Sequence, residues 1–311
     1  MKLLTIICPV FNEEKNIINF LENVKIISNN PVIKNKYFLN VVFSNNRSTD
    51  KTLETIKEEA KKEDYIYFIT LSKNFGYQHS IDFALRNTIG DLFVIIDVDG
   101  EDPVELILEF IKEHEKGFDI VYGERLDRPE NVIKKKLRWL FYRVLHLVSD
   151  HKIFLDASEF SLFTNEVKEN ILKENNSFPF LRTSLSRVGF LYSKIPYVRK
   201  SRHYGLSNFN IMQNIKFAVA GILSSTTFPL RVPMYLFPLW CLLSTCLFIL
   251  NLVFQKTIFL KILILIFVLY SSFILVFISI YVARIYQNSS SRPNAYLMEK
   301  NSRLQTRVKN D

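Results

Sequence analysis

Two stretches near the C-terminus carry no charge at all. Residues 234–254 read MYLFPLWCLLSTCLFILNLVF, and residues 262–283 read ILILIFVLYSSFILVFISIYVA. A helix that crosses the hydrocarbon core of a bilayer needs roughly 20 apolar residues in succession. A surface helix of a globular protein keeps a polar stripe, and neither run has one on any face. The pattern predicts two transmembrane helices, with a soluble helical bundle as the alternative. The link QKTIFLK is short, so the pair is expected to form a hairpin with both flanks on one side.

Charge placement agrees. The net charge is +9, and no Asp or Glu occurs between Glu174 and Glu299. Arg182, Arg187, Lys194, Arg199, Lys200, Arg202, Lys216 and Arg231 precede the first run, and Arg284, Arg292 and Lys300 follow the second. Basic residues beside spans mark the cytoplasmic side, and they draw anionic head groups of the lipid bilayer. Nucleic acid is the other partner a basic face suggests. It is not expected here, because the cluster abuts the apolar runs and no nucleic-acid module is visible. The opening MKLLTIICPVFNEE is broken by Pro9 and shows no small-residue cleavage site. No secretory signal is therefore expected, and the N-terminal part is placed in the cytosol. Cys8, Cys241 and Cys246 give no disulfide framework, in keeping with a reducing compartment.

The first 125 residues alternate strand-like and helix-like patterns. LLTIICPVF, YFLNVVFS, YIYFITL and DLFVIID read as strands, the last apolar throughout, as a strand buried on both faces should be. Between them, EEKNIINFLENVKII spaces Ile17, Ile18, Leu21 and Val24 at helical intervals, with Asn12 as its expected N-cap. RSTDKTLETIKEEAKK and HSIDFALRNT read as further helices. The alternation predicts an α/β fold with a mostly parallel sheet. Ligands of such sheets bind beyond the carboxyl ends of the strands. Residues 9–14, 44–50 and the acidic run after DLFVIID all fall there. Residues 126–175 read as helical, FNIMQNIKFAVAGILSSTTF reads as a helix on the membrane surface, with an ordinary core helix as the alternative, and the polar tail after Arg284 is expected to be poorly ordered.

The acidic run is the chemical signal. In DLFVIIDVDGEDPVE, Asp97, Asp99, Glu101 and Asp102 fall within six positions. Like charges so close repel, and something must relieve them. The eight glycines form neither G-x-G-x-x-G nor G-x-x-x-x-G-K-[ST], so phosphates are not cradled by a glycine-rich loop. A hard divalent cation, Mg²⁺ or Mn²⁺, held by carboxylates and by substrate phosphates, is the substitute. The bland alternative is a solvated acidic turn. The histidines show no metal-ligand spacing.

Set in order, CPVFNEEKNI, FSNNRSTDKT, KNFGYQHSIDFAL, IDVDGEDPVE, VYGERLDR, DASEFSLF and RKSRHYGLSNFN with SSTTFPLR resemble the family-2 glycosyltransferases, in the branch that acts on polyprenyl phosphates. The likeness runs from about Leu4 to Arg284. It implies a GT-A-like domain over residues 1–206, a membrane-surface helix region over 207–232, the hairpin over 233–284 and a polar basic cytosolic tail over 285–311. It implies inverting transfer of one sugar from a UDP- or GDP-linked donor to a polyprenyl phosphate (undecaprenyl or dolichyl). The site residues follow from the same motifs. Asp97, Asp99, Asp156 and Glu159 are the catalytic candidates, with Asp99 and Glu101 on the metal. Pro9, Asn12, Glu13, Asn45 and Asp97 meet the nucleotide sugar. Arg125, Arg199, Arg202 and Ser207 meet the acceptor phosphate. The family often has an acid where Asn45 stands and Gln where Glu101 stands; Ser161 replaces a common Arg, and Ser207-Asn208-Phe209 lacks a frequent Lys. No Q-x-x-R-W occurs, which speaks for single transfers. The rival readings are a transferase of this fold with a different acceptor in envelope polysaccharide synthesis, and a membrane-anchored relative without catalysis. A homo-oligomer is allowed.

Overall fold

A computed structural model describes residues 1–126, 143, 149–150, 154, 157–174, 176–200, 226–290 and 293–305. Seven strands form one sheet in the order β3-β2-β1-β4-β6-β5-β7. They are β1 (Lys2–Val10), β2 (Tyr37–Asn45), β3 (Ile66–Thr70), β4 (Leu92–Ile95), β5 (Ile120–Arg125), β6 (Ala157–Thr164) and β7 (Tyr192–Tyr197). All pairings are parallel except the two made by β6, which runs antiparallel between β4 and β5.

Side chains alternate across this sheet, so each strand feeds two cores. Leu4, Ile6, Cys8, Val41, Phe43 and Val94 lie on one face. It is covered by α1 (Ile17–Ser28), α2 (Pro31–Lys34), α3 (Thr52–Lys62) and α5 (Leu106–Glu115). Ile7, Val42, Ile69, Phe93 and Ile95 lie on the other, under α4 (Tyr77–Arg86), α6 (Asn165–Leu172) and α7 (Leu181–Arg187). The expected α/β class and mostly parallel sheet are observed.

Four local readings change. Residues 157–164 are a strand, not helix: ASEFSLFT is buried along nearly its whole length between two neighbours, and its serines are satisfied inside the sheet. Asn12 does not cap α1. It has φ 57° and accepts from the Thr49 N–H, while Asn16 takes the N-cap position. The apolar runs are longer helices than expected, α8 (Phe228–Phe254) and α9 (Thr257–Ser289), joined through Gln255 in the left-handed conformation. Both are long and apolar enough to cross a membrane, and none of their most apolar windows is buried in the protein. The tail is ordered over residues 293–305, where it pairs with β3. Of the surface-helix region, residues 207–225 lie outside the described residues, as do Asp156, Arg202 and Ser207.

The hairpin is docked on the part that carries the sheet. The Ser177 N–H donates to Asn288 Oδ1 at 2.9 Å, the Arg284 guanidinium lies 5.0 Å from the Phe178 ring centre, and Tyr281 donates to the Thr226 carbonyl at 3.0 Å. At the start of α8, Asp150 accepts from the Thr227 N–H at 2.7 Å and pairs with Arg231.

Candidate active site

The carboxyl ends of β1, β2 and β4 meet at one edge of the sheet. Because β6 is antiparallel and its Ser161 pairs with Ile95, residues 157–160 extend beside the acidic run. Glu124 and Arg125 of β5 and Tyr197 of β7 end at the same edge.

Three loops on the β1–β3 side are tied to one another. Asn12 accepts the Thr49 N–H at 2.8 Å, and Ser48 Oγ accepts the Asn12 N–H at 3.0 Å. Thr52 Oγ1 accepts the Glu13 N–H at 2.9 Å, and Glu13 itself accepts from Asn16 Nδ2 at 2.6 Å. Asn46 donates to Asn74 Oδ1 and accepts the Phe75 N–H, both at 2.9 Å. Asn45 accepts the Ser48 N–H at 3.0 Å, and its buried Nδ2 has no partner among the described residues. Thus Asn12 and Glu13 shape the loops with their side chains, Pro9 sits buried in β1, and Asn45 keeps a donor in reserve.

The acidic run is neutralised unevenly. Asp102, 2% exposed, is its anchor: it accepts from Tyr197 Oη at 2.5 Å and from Arg125 Nη2 at 3.3 and 3.4 Å, with Arg199 Nε 3.8 Å away. Gly123 permits this, since a Cβ there would stand 2.6 Å from the Tyr197 ring. Arg125, expected at the acceptor phosphate, is paired with Asp102, which raises its pKa despite the opposing effect of burial. Glu101, expected on the metal, is paired with Arg199. Asp97 accepts from the Tyr77 hydroxyl at 2.8 Å, and Asp99 accepts the Glu101 N–H at 3.0 Å. Desolvation, with Asp99 and Asp102 nearby, pushes the Asp97 carboxyl up to about 7.

These residues fit a hard divalent cation. The Asp97 carboxyl bears repulsion that its neutral hydroxyl partner does not remove, and a cation beside Asp99 would relieve it. Among the described residues no group of three or more His, Cys, Asp or Glu is gathered to hold a metal.

Glu159 lies across from Asp97, 6% exposed. Its Oε1 accepts from Gln78 Nε2 at 3.0 Å and lies 2.8 Å from Arg182 Nε, while Oε2 is buried without a partner among the described residues. Tyr77, Gln78, Arg182 and Tyr197 went unassigned from sequence. KNFGYQHS carried the first two, and Gly76, at φ 93°, starts the helix that aims them. Nothing local marked Arg182 or Tyr197.

Residues 5–187 match the family described as Glycosyl transferase family 2. The uncharacterized glycosyltransferase YkcC of Bacillus subtilis (strain 168) is 33% identical over 234 residues, 74% of this chain and 71% of its own. The bactoprenol glucosyl transferase of Shigella phage SfX is 34% identical over 236 residues, 75% of each chain. The mannosyltransferase PcManGT from Pyrobaculum calidifontis, solved in complex with GDP-Man and Mn2+, superposes with a TM-score of 0.45 at 17% identity, over 93% of this chain and 88% of its own. The loops at the sheet's carboxyl edge, the acidic run beyond β4 and the match across most of the catalytic part agree, and the chain belongs to glycosyl transferase family 2 and is a glycosyltransferase.

Proposed function

We propose that this glycosyltransferase is membrane-bound and metal-dependent, and moves one sugar from a nucleotide sugar to a polyprenyl phosphate at the cytosolic face, with inversion. One observation carries the reading. Arg199, in the segment that leads toward the apolar hairpin, pairs with Glu101 of the acidic loop. A cation for a lipid phosphate therefore stands beside the acids suited to the donor's diphosphate. The 34% identity to a protein named bactoprenol glucosyl transferase supports the acceptor class, and α8 and α9 support the membrane setting.

In this reading an oxygen of the lipid phosphate attacks the anomeric carbon opposite the nucleoside diphosphate. The new C–O bond forms as the old one breaks, and the diphosphate leaves with the electron pair. When bound, Mg²⁺ or Mn²⁺ neutralises that leaving group. Asp99 would hold it, with Glu101, paired with Arg199, beside it. Asp97, oriented by Tyr77, meets ribose or sugar hydroxyls. Asn45 meets the nucleobase with its spare Nδ2, and Pro9, Asn12 and Glu13 shape that pocket. The acceptor phosphate has a second pKa of about 6 by analogy with phosphomonoesters, so it is largely ionised and needs no strong base. Asp156 and Glu159 orient the acceptor or stabilise positive charge on the sugar, while Arg199, Arg202 and Ser207 bind its phosphate. The division into a catalytic domain over 1–206, a surface-helix region over 207–232, a hairpin over 233–284 and a cytosolic tail over 285–311 belongs to the same proposal.

The test is direct. Membranes holding the protein are incubated with labelled nucleotide sugars and Mg²⁺ or Mn²⁺, then extracted with organic solvent. Label that enters the lipid phase and is released by mild acid is expected. Label confined to polymer or water-soluble product overturns the lipid acceptor.

A further inference from the structure

Residues 294–305 form a strap along the outer edge of β3. Phe68 and Arg303 exchange both backbone hydrogen bonds, at 3.1 and 2.8 Å. The Met298 N–H donates to the Thr70 carbonyl at 2.8 Å, the Thr70 N–H to Ser302 Oγ at 2.9 Å, and the Ser72 N–H to the Tyr296 carbonyl at 2.9 Å. Side chains lock the strap down. Ala295 is 2% exposed within the core under α4, and Arg303 pairs with Asp64 at 3.2 Å. An edge strand left bare offers a row of unpaired backbone groups, and here the chain covers its own edge.

The strap also reaches the loops assigned to the nucleotide. The Tyr296 ring lies 6.2 Å from that of Phe75, and Met298 Sδ accepts from Arg47 Nη1 at 2.8 Å. Phe75 and Arg47 flank the Asn46 side chain that ties the second loop to the third, and the Leu71 N–H donates to the Asn45 carbonyl at 3.0 Å. The strap follows α9 directly in the chain, so the membrane hairpin and these loops are linked through it.

We infer that residues 294–305 are a positioning element of the donor site: Tyr296 and Met298 hold the loops carrying Asn45 and Phe75 in the form that binds a nucleoside diphosphate. The inference rests on the assignment of those loops to the donor. Releasing the strap lets the loops sample other forms, and the apparent affinity falls by the fraction of time they are competent. Tyr296 is 53% exposed, so removing its ring opens no core cavity.

The experiment uses the full chain in detergent. Binding of UDP and of GDP is measured by calorimetry with Mn²⁺ present, and donor KM and kcat by the lipid-extraction assay. Backbone hydrogen exchange of residues 45–47 and 71–76 is followed in parallel. In Tyr296→Ala, binding of the preferred nucleotide is expected to weaken roughly ten-fold if the competent form falls to about a tenth. Donor KM should rise with it, kcat should change less than about two-fold, and the loops should exchange faster. Tyr296→Phe, which keeps the ring, should match the wild type. If the wild type binds neither UDP nor GDP, the donor reading fails and takes the strap's role with it. If the wild type binds and Tyr296→Ala binds equally well, the strap's role alone is overturned. A loss of kcat with donor affinity unchanged overturns it too.

Discussion

The two halves of the site are held in different ways. On the β1–β3 side most ties are neutral: Asn12, Asn45, Asn46, Ser48 and Thr52 join three loops through amides and hydroxyls, and the Asp50 and Glu14 carboxylates add backbone N–H ties between the first two. On the β4–β7 side the ties are ionic, Asp102 with Arg125 and Glu101 with Arg199. Neutral ties of this kind contribute about 1 kcal/mol each and set shape. Buried ion pairs are costly to break because the survivor stays charged. The contrast teaches a division of labour. In the proposed reading the first half shapes the nucleoside pocket with mostly neutral ties, while the second holds acids in place for a cation and a phosphate.

The sharpest way to break the comparison is at the charged half. Asp99→Asn keeps the shape and removes the charge, so sugar transfer is expected to fall at least ~10³-fold, and a chelator added to the wild type should do the same. Rates measured with labelled donor decide it, and a mutant of wild-type activity would show that the acid holds no cation. Arg125→Ala comes next. It strands Asp102 in the interior, and the expected cost is about 3–5 kcal/mol, read as a lowered melting temperature in detergent. A variant that melts normally but loses acceptor use would return Arg125 to the lipid phosphate.

The neutral half should respond differently. Asn46→Ala removes both side-chain ties between the second and third loops, and donor KM is expected to rise roughly ten-fold with kcat little changed. A fall in kcat at constant KM would erase the distinction between the halves. The smallest effect concerns stability without metal. Asp97 rises from 3.8 to about 7 on folding, mainly through desolvation and then through Asp99 and Asp102. Between those values the folded protein holds a proton that the unfolded chain has lost, so stability falls as pH rises through that window. Asp97→Asn lacks this term. In chelator it should melt a few degrees above the wild type at pH 8, with the gap closing near pH 4; a gap independent of pH would count against the repulsion.

Much of the fold could be read from short-range pattern. DLFVIID marked itself as a doubly buried strand, and the two uncharged runs marked themselves as helices without a buried partner. The acidic run was legible as a site because four acids in six positions need an explanation wherever they fold. ASEFSLFT was not legible as a strand. Its Ser158, Glu159 and Ser161 look like surface residues until neighbouring strands and helices supply their partners. The tail was misjudged for the same reason, since NAYLMEKNSR is polar and short and gains its order from the edge of β3.

By itself the sequence determined the alternation of strands and helices, the apolar hairpin and the concentration of acid beyond the fourth strand. Each of these is set by residues within about a dozen positions of one another, where periodicity and charge act directly. Only the tertiary structure decided how the acids are shared out: Asp102 to Arg125 and Tyr197, Glu101 to Arg199, Asp97 to Tyr77. Those partners lie 20 or more positions away, with Asp102 and Tyr197 separated by 95. Electrostatic and hydrogen-bond energies depend on distance in space, and it is the antiparallel insertion of β6 between β4 and β5 that brings these strand ends to one edge.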